Sequence, residues 1–250
     1  MPRLSRTLLG GALWLLSGLA QAGEVLVAVA ANFSAPMREI AAAFERDTGH
    51  KAVLSFGATG AFYTQIRNGA PFEVLLAADD RTPAKLAAEG LALERTRFSY
   101  ATGRLVLWST QPGLVDANGA VLRGSGIERL AIADPKLAPY GQAAIDVLAK
   151  LGLLAALQPR LVQGKSIAQA HQFVASGGAP LGFVALSQVQ QDGMIRQGSA
   201  WIVPADLHAP LRQDAILLLP GKDKAAASAL LAYLRSDSAR RIAAGYGYGF

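Results

Sequence analysis

The sequence predicts an α/β protein built as two small lobes. Short valine- and leucine-rich runs alternate with amphipathic segments that end on glycine, the pattern of repeated βα units. The chain has 250 residues, enough for a full hydrophobic core and for one or two domains. Hydrophobic residues make up 52% and charged residues 17%, which excludes a disordered chain.

Taken in order, residues 1–22 (MPRLSRTLLGGALWLLSGLAQA) read as a secretory signal peptide cleaved after Ala22. Arg3 and Arg6 precede an apolar stretch, and Ala20-Gln21-Ala22 gives the small-x-small pattern. The stretch is shorter than the ~20 residues a spanning helix needs. No cysteine follows it, so no lipid can be attached there, and an untethered exported protein points to a bacterial periplasm.

Next comes a strand, Glu24–Ala30 (EVLVAVA). Residues 36–47 place Met37, Ile40, Ala41 and Phe44 on one helical face, closed by Gly49. A strand at 51–56, a helix at 61–68 closed by Gly69, a strand at 74–78 and a helix at 82–89 closed by Gly90 follow. The weakest boundary lies at 100–103, before a strand at 104–109. The second set has strands at 129–133, 181–185, 201–203 and 215–219. Its helices lie at 142–151, 167–175 and 224–234, the last continuing towards Arg241. Such units imply mostly parallel sheets with helices on both faces.

Composition removes several chemistries. Without cysteine there are no disulfides, cysteine-ligated zinc, iron–sulfur clusters or thiol catalysis. His50, His171 and His208 are far apart, so helical zinc spacing is absent. The formal charge is +6, yet the Lys and Arg residues are scattered and not gathered in a stripe for nucleic acid. Without residues 1–22 the chain keeps 22 basic against 18 acidic residues, a mild attraction for anions.

The informative positions are four helix starts. Ala31-Asn32-Phe33-Ser34, Gly57-Ala58-Thr59-Gly60, Ala138-Pro139-Tyr140-Gly141 and Gly164-Lys165-Ser166-Ile167 each carry capping or close-approach residues. Each start leaves free N–H groups at the positive end of a helix dipole. Converging starts make an anion site without a charged side chain. Any capped helix shows the same residues, and spacing alone does not establish convergence. In open α/β sheets such loops lie at the carboxyl ends of strands, where ligands bind.

These residues resemble the periplasmic molybdate-binding proteins of ABC transporters, within the wider group of two-lobed solute-binding proteins. The resemblance rests on VAVAANFSAPMREIAAAFERDTG, LSFGATGAFYTQIRNGAP, EVLLAADD, ADPKLAPYGQAAIDVLAKLG, GAPLGFVALSQV and the ending GYGYGF, in family order across almost all of the chain after residue 22. It implies a type II periplasmic-binding-protein fold with the ligand in the cleft between lobes. One lobe would comprise 23–102 plus 205–250, and the other 103–204. It further implies a tetrahedral oxyanion, molybdate or tungstate, held by neutral donors. Asn32 would give side-chain and backbone N–H, Thr59 its hydroxyl, and Tyr140 and Ile167 their backbone N–H. Ala31, Ala58 and Ser166 are additional candidates. Molybdenum would enter only as the oxyanion, with no protein–metal ligand and no cofactor. The partner would be an ABC permease and ATPase complex in the inner membrane, served by a monomer.

One position departs from the family pattern. Many members carry a tyrosine where this chain has Ala185 in PLGFVA, and the Tyr140 phenol would compensate. The departure keeps receptors for sulfate, phosphate or chromate in view. A rival of another class is a periplasmic hydrolase using Asp79 or Asp80. Asp79 or Asp80 is better read as the cap of the helix near Thr82, and no Ser-His-Asp order or GxSxG elbow is present. Lys165 reads as a solvated neighbour of the site. Trp108 and Trp201 read as packing residues, and His171 as half-buried or at the surface.

Overall fold

A computed structural model describes residues 22–250 of the chain. Apart from Ala22, the expected signal peptide lies outside the described residues. The first strand, β1 (Glu24–Ala30), runs parallel to β2 (Lys51–Gly57) and β3 (Val74–Leu76). Between and after them lie α1 (Ser34–Thr48), α2 (Thr59–Arg67) and α3 (Arg81–Ala88). α1 forms because its apolar residues recur at helical spacing: Met37, Ile40 and Phe44 are buried, and Gly49 ends the helix at φ 74°.

β4 (Phe98–Gly103) leads into β5 (Leu105–Ser109), and the chain then builds a second sheet. In order come β6 (Leu130–Ala133), α4 (Pro139–Lys150), α5 (Leu154–Leu157), β7 (Leu161–Gly164), α6 (Ile167–Ala175) and β8 (Leu181–Ala185). A small hairpin of β9 (Gln190–Gln191) and β10 (Met194–Ile195) precedes β11 (Ser199–Ile202). The chain returns as β12 (Leu211–Leu217) and ends with α7 (Ala225–Tyr233) and α8 (Asp237–Gly245).

The two five-stranded sheets are ordered β2-β1-β3-β12-β4 and β7-β6-β8-β5-β11. They share one plan. In each, four strands run the same way and one, β12 in the first sheet and β5 in the second, runs against them; that strand and the edge strand beside it are the ones by which the chain enters and leaves the sheet. The sheets are thus mixed but mostly parallel, as the βα pattern implies. A strand arriving from the other lobe enters against the direction of the βα units already there. The residues read as a weak boundary at 100–103 are part of β4, which runs one residue past the expected division at 102.

Helix starts were placed two or three residues late for α1, α2 and α4, because their opening residues look like loop. β7 and α5 were not foreseen, and the terminal helix is two helices. Ser236 divides them by accepting the Ala239 N–H at 3.2 Å. Separate cores underlie the sheets, but one crosses between them. It joins Ala30, Ala31, Ala58 and Ala78 to Ala133, Ala138, Tyr140 and Ile167. Small side chains there let the strand-end loops of both lobes approach closely.

Candidate functional site

Each of the four helix starts follows the carboxyl end of a parallel strand: β1 and β2 in one sheet, β6 and β7 in the other. They meet at one small cavity of about 10 Å³ between the sheets. Among its lining residues are Ala31, Asn32, Ala58, Thr59, Tyr140 and Ile167. Ser166 is not among them; it caps α6 instead, accepting the Gln169 N–H at 3.3 Å. Among the described residues, no charged side chain lines the cavity. Lys165 stays exposed at its backbone turn and does not reach it.

Asn32 sits in a 3₁₀ turn (Ala31–Phe33) and is 2% exposed. Its Nδ2 donates to Gln213 Oε1 at 2.8 Å and to the Tyr248 hydroxyl at 3.0 Å. Both amide protons are therefore taken up inside the protein. The expected side-chain donor is corrected accordingly, and the backbone N–H remains as the donor of this loop. The Asn32 carbonyl accepts from Ser187 Oγ at 2.7 Å, a bond between the two halves of the molecule.

Thr59 opens α2 and is 2% exposed. Its Oγ1 accepts the Ala78 N–H at 2.9 Å, which leaves the hydroxyl proton to donate elsewhere. Next to it, Gly60 donates its N–H to Leu137 O at 2.9 Å, in the loop before α4. A Cβ at 60 would stand 3.1 Å from the Leu137 backbone, so glycine permits this approach.

α4 begins on Pro139, which suits a first-turn position, and Tyr140 follows. Gly141 lets this start settle against the end of β6: a Cβ there would lie 2.8 Å from the Ala133 carbonyl carbon. The Tyr140 hydroxyl accepts from Gln213 Nε2 at 3.1 Å. The hydroxyl oxygen is thus engaged by Gln213, and the side chain is 1% exposed. Burial holds Tyr140, Tyr100 and Tyr248 above the ordinary phenol range, so all three stay neutral.

Ile167 opens α6, and its carbonyl accepts from Gln188 Nε2 at 3.2 Å. Gln188 Oε1 in turn accepts the Ala185 N–H at 2.9 Å. This brace joins the end of β8 at Ala185 to the start of α6. The N–H groups of Asn32, Thr59, Tyr140 and Ile167 all lie in first turns, without an intrahelical acceptor. Outside regular ladders, none of them donates to another described protein group.

A larger cleft of about 930 Å³ shares Ala78, Ala138 and Pro139 with the cavity and opens beside it. Asp79 and Asp80 line this cleft rather than the cavity. Asp79 caps α3, with Oδ1 accepting the Thr82 N–H at 2.7 Å. Burial pushes its carboxyl up, and the Thr82 bonds partly oppose that. Among the described residues no cluster of three His, Asp or Glu side chains is placed to hold a metal ion. His171 stacks on Trp108 at 5.0 Å, and Trp108 and Trp201 are buried. No helix of the described residues is long and apolar enough to cross a membrane.

Sequence reasoning missed Gln213, Tyr100, Ser187 and Gln188. Gln213 lies between Arg212 and Asp214, a polar run that reads as solvated, yet it is fully buried. Tyr248 belonged to the GYGYGF ending, which gave no hint of its contact with Asn32.

Known proteins resemble this chain over its whole length. The molybdate-binding protein ModA of Azotobacter vinelandii is 59% identical over 246 residues, covering 98% of each chain. The molybdate-binding protein ModA of Rhodobacter capsulatus is 52% identical over 254 residues, covering 99% of each. A solved structure of an Azotobacter vinelandii periplasmic molybdate-binding protein superposes with a TM-score of 0.87 and 43% identity, covering 90% of this chain and 99% of that one. The family described as bacterial extracellular solute-binding proteins matches residues 25–249. The chain belongs to that family and groups within it beside the ModA proteins.

Proposed function

We propose that the protein captures molybdate, and also tungstate, outside the cytoplasm and delivers it to an ABC permease and ATPase complex for import. The observation that carries this reading is a cavity between two sheets, lined without charged side chains and by first-turn residues of four loops. Such donors suit a tetrahedral dianion, since backbone dipoles favour negative charge and no carboxylate repels it. The donors proposed to touch the anion are the backbone N–H groups of Asn32, Tyr140 and Ile167 and the hydroxyl of Thr59. Ala31 and Ala58 contribute lining. The names of the relatives supply the identity of the anion.

Neutral donors also permit release, because no buried counter-charge is left unpaired when the anion leaves. In this reading the lobes are 23–102 with 205–250, and 103–204. The protein is a periplasmic monomer, freed by cleavage after Ala22. Hydrogen phosphate carries a proton that needs an acceptor, and the lining offers no carboxylate for it. Sulfate or chromate is the second reading, favoured by Ala185 standing where the resemblance implies a tyrosine hydroxyl.

Thermal unfolding with added anions tests the proposal. Molybdate at 100 times its dissociation constant should stabilise the protein by about 2.7 kcal/mol. No shift with molybdate or tungstate, beside a clear shift with sulfate, would transfer the reading to sulfate.

A further inference from the structure

Gln213 is the buried centre of a polar cluster that spans both sheets. Its Oε1 accepts from Asn32 Nδ2 at 2.8 Å and from the Tyr100 hydroxyl at 2.9 Å. Its Nε2 donates to the Tyr140 hydroxyl at 3.1 Å. Asn32, Tyr100 and Gln213 belong to the first sheet and its strand-end loop, whereas Tyr140 comes from the second half of the molecule. One side-chain amide therefore ties together two of the four loops at the cavity.

The Tyr140 hydroxyl fits there because residue 103, at the end of β4, has no side chain. A Cβ at Gly103 would meet the Tyr140 hydroxyl far inside contact distance. It would also lie 2.5 Å from Gln213 Nε2 and 3.0 Å from Tyr140 Cζ. Gly103 is also the last residue of the first sheet before the chain crosses to β5.

We propose that Gly103, Gln213 and Tyr140 form a latch between the lobes: the phenol of one lobe enters a socket of the other, and Gln213 sets Asn32 and Tyr140 in register around the anion. Gln213 is thus a positioning residue that touches no ligand. The proposal rests on the cavity being the anion site. Its function is to hold the closed arrangement, so its loss acts on release more than on capture. When the lobes part, Tyr140 leaves the socket, and the ligand-free protein does not depend on the contact.

The test compares wild type with Tyr140→Phe, Gln213→Met and the double variant, using sodium molybdate as the probe. Tyr140→Phe keeps the backbone N–H at the cavity and removes only the hydroxyl. Calorimetry gives the affinity, stopped-flow tryptophan fluorescence the rates, and thermal unfolding the ligand-free stability. Tyr140→Phe should release molybdate about tenfold faster, the effect of one lost buried hydrogen bond, and Gln213→Met at least as fast, with the association rate unchanged in both. The double variant should be no worse than Gln213→Met, because both changes break the same contact. Tyr140→Phe should leave ligand-free melting at the wild-type value, which a purely structural role would not do. Gly103→Ala should fold and also release faster.

Additive effects, or release rates equal to wild type in both single variants, overturn the latch while leaving the anion site intact. A ligand-free Tyr140→Phe protein that melts lower in proportion to its lost affinity also overturns it. A wild-type protein indifferent to molybdate overturns the functional reading, and the latch with it.

Discussion

Thr59 shows how a single buried hydroxyl can serve the fold with its oxygen and keep a proton to donate. Its oxygen is spent on the Ala78 N–H and its proton is free. Thr59→Ala should weaken molybdate binding roughly tenfold to a hundredfold, the range for a hydrogen bond to a charged group. Thr59→Ser should bind like wild type, because it keeps both the acceptor and the donor; calorimetry of both variants checks this. Asn32 behaves differently, since its amide serves Gln213 and Tyr248. Asn32→Ala should weaken binding and lower ligand-free melting together, because it removes buried hydrogen bonds to both Gln213 and Tyr248. The motif pointed to Asn32, Thr59, Tyr140 and Ile167 as residues, and all four line the cavity. Which atom of each is available was not legible. That depends on Gln213 and Tyr248, which lie 181 and 216 residues from Asn32 in sequence.

Elements were legible where one periodicity dominated. β1, α1, α6 and β8 carry unbroken apolar patterns, and the expected spans for these strands and for α6 match the observed ones. β4 was missed because FSYATG mixes polar and small residues: its neighbours in the sheet, not its own pattern, make it a strand. Helix starts were placed late because glycine and proline read as loop, although here they allow backbone contact. Gly141→Ala measures that contact. Alanine favours helices elsewhere, but at 141 it meets the end of β6. It should destabilise the protein by about 1–3 kcal/mol, the usual cost of overpacking, as read by denaturant unfolding.

On α6, burial lowers the pKa of His171 below its ordinary value of 6.5. The unfolded chain then binds the proton more readily than the folded one. Stability is full above the unfolded pKa and falls as pH drops through the lowered folded value. His171→Gln should flatten that acid-side loss in a series of melting curves, and an unchanged slope would remove His171 as its source.

At the scale of the whole molecule, the two sheets repeat one strand plan and present matching strand ends to each other. Each contributes two helix starts to the cavity, so neither half holds a complete site. The α/β class and the two-lobed plan could be read from alternating segments. The exchange of antiparallel strands between halves could not, because it depends on β5 and β12 each joining a sheet on arrival from the other. The basic charge read from the sequence finds no expression in the lining, where the field comes from backbone dipoles. Binding should therefore vary little between about pH 6 and 9, because the buried phenols near the site stay neutral throughout.

Calorimetric titration of the protein with molybdate, in competition with sulfate and phosphate, is the most direct test of an uncharged cavity closed by both lobes around an oxyanion. The account predicts one molybdate per chain, displaced by tungstate and not by phosphate, with binding weakened in Thr59→Ala. Absence of heat with every one of these anions, or full binding retained in Thr59→Ala, would contradict it.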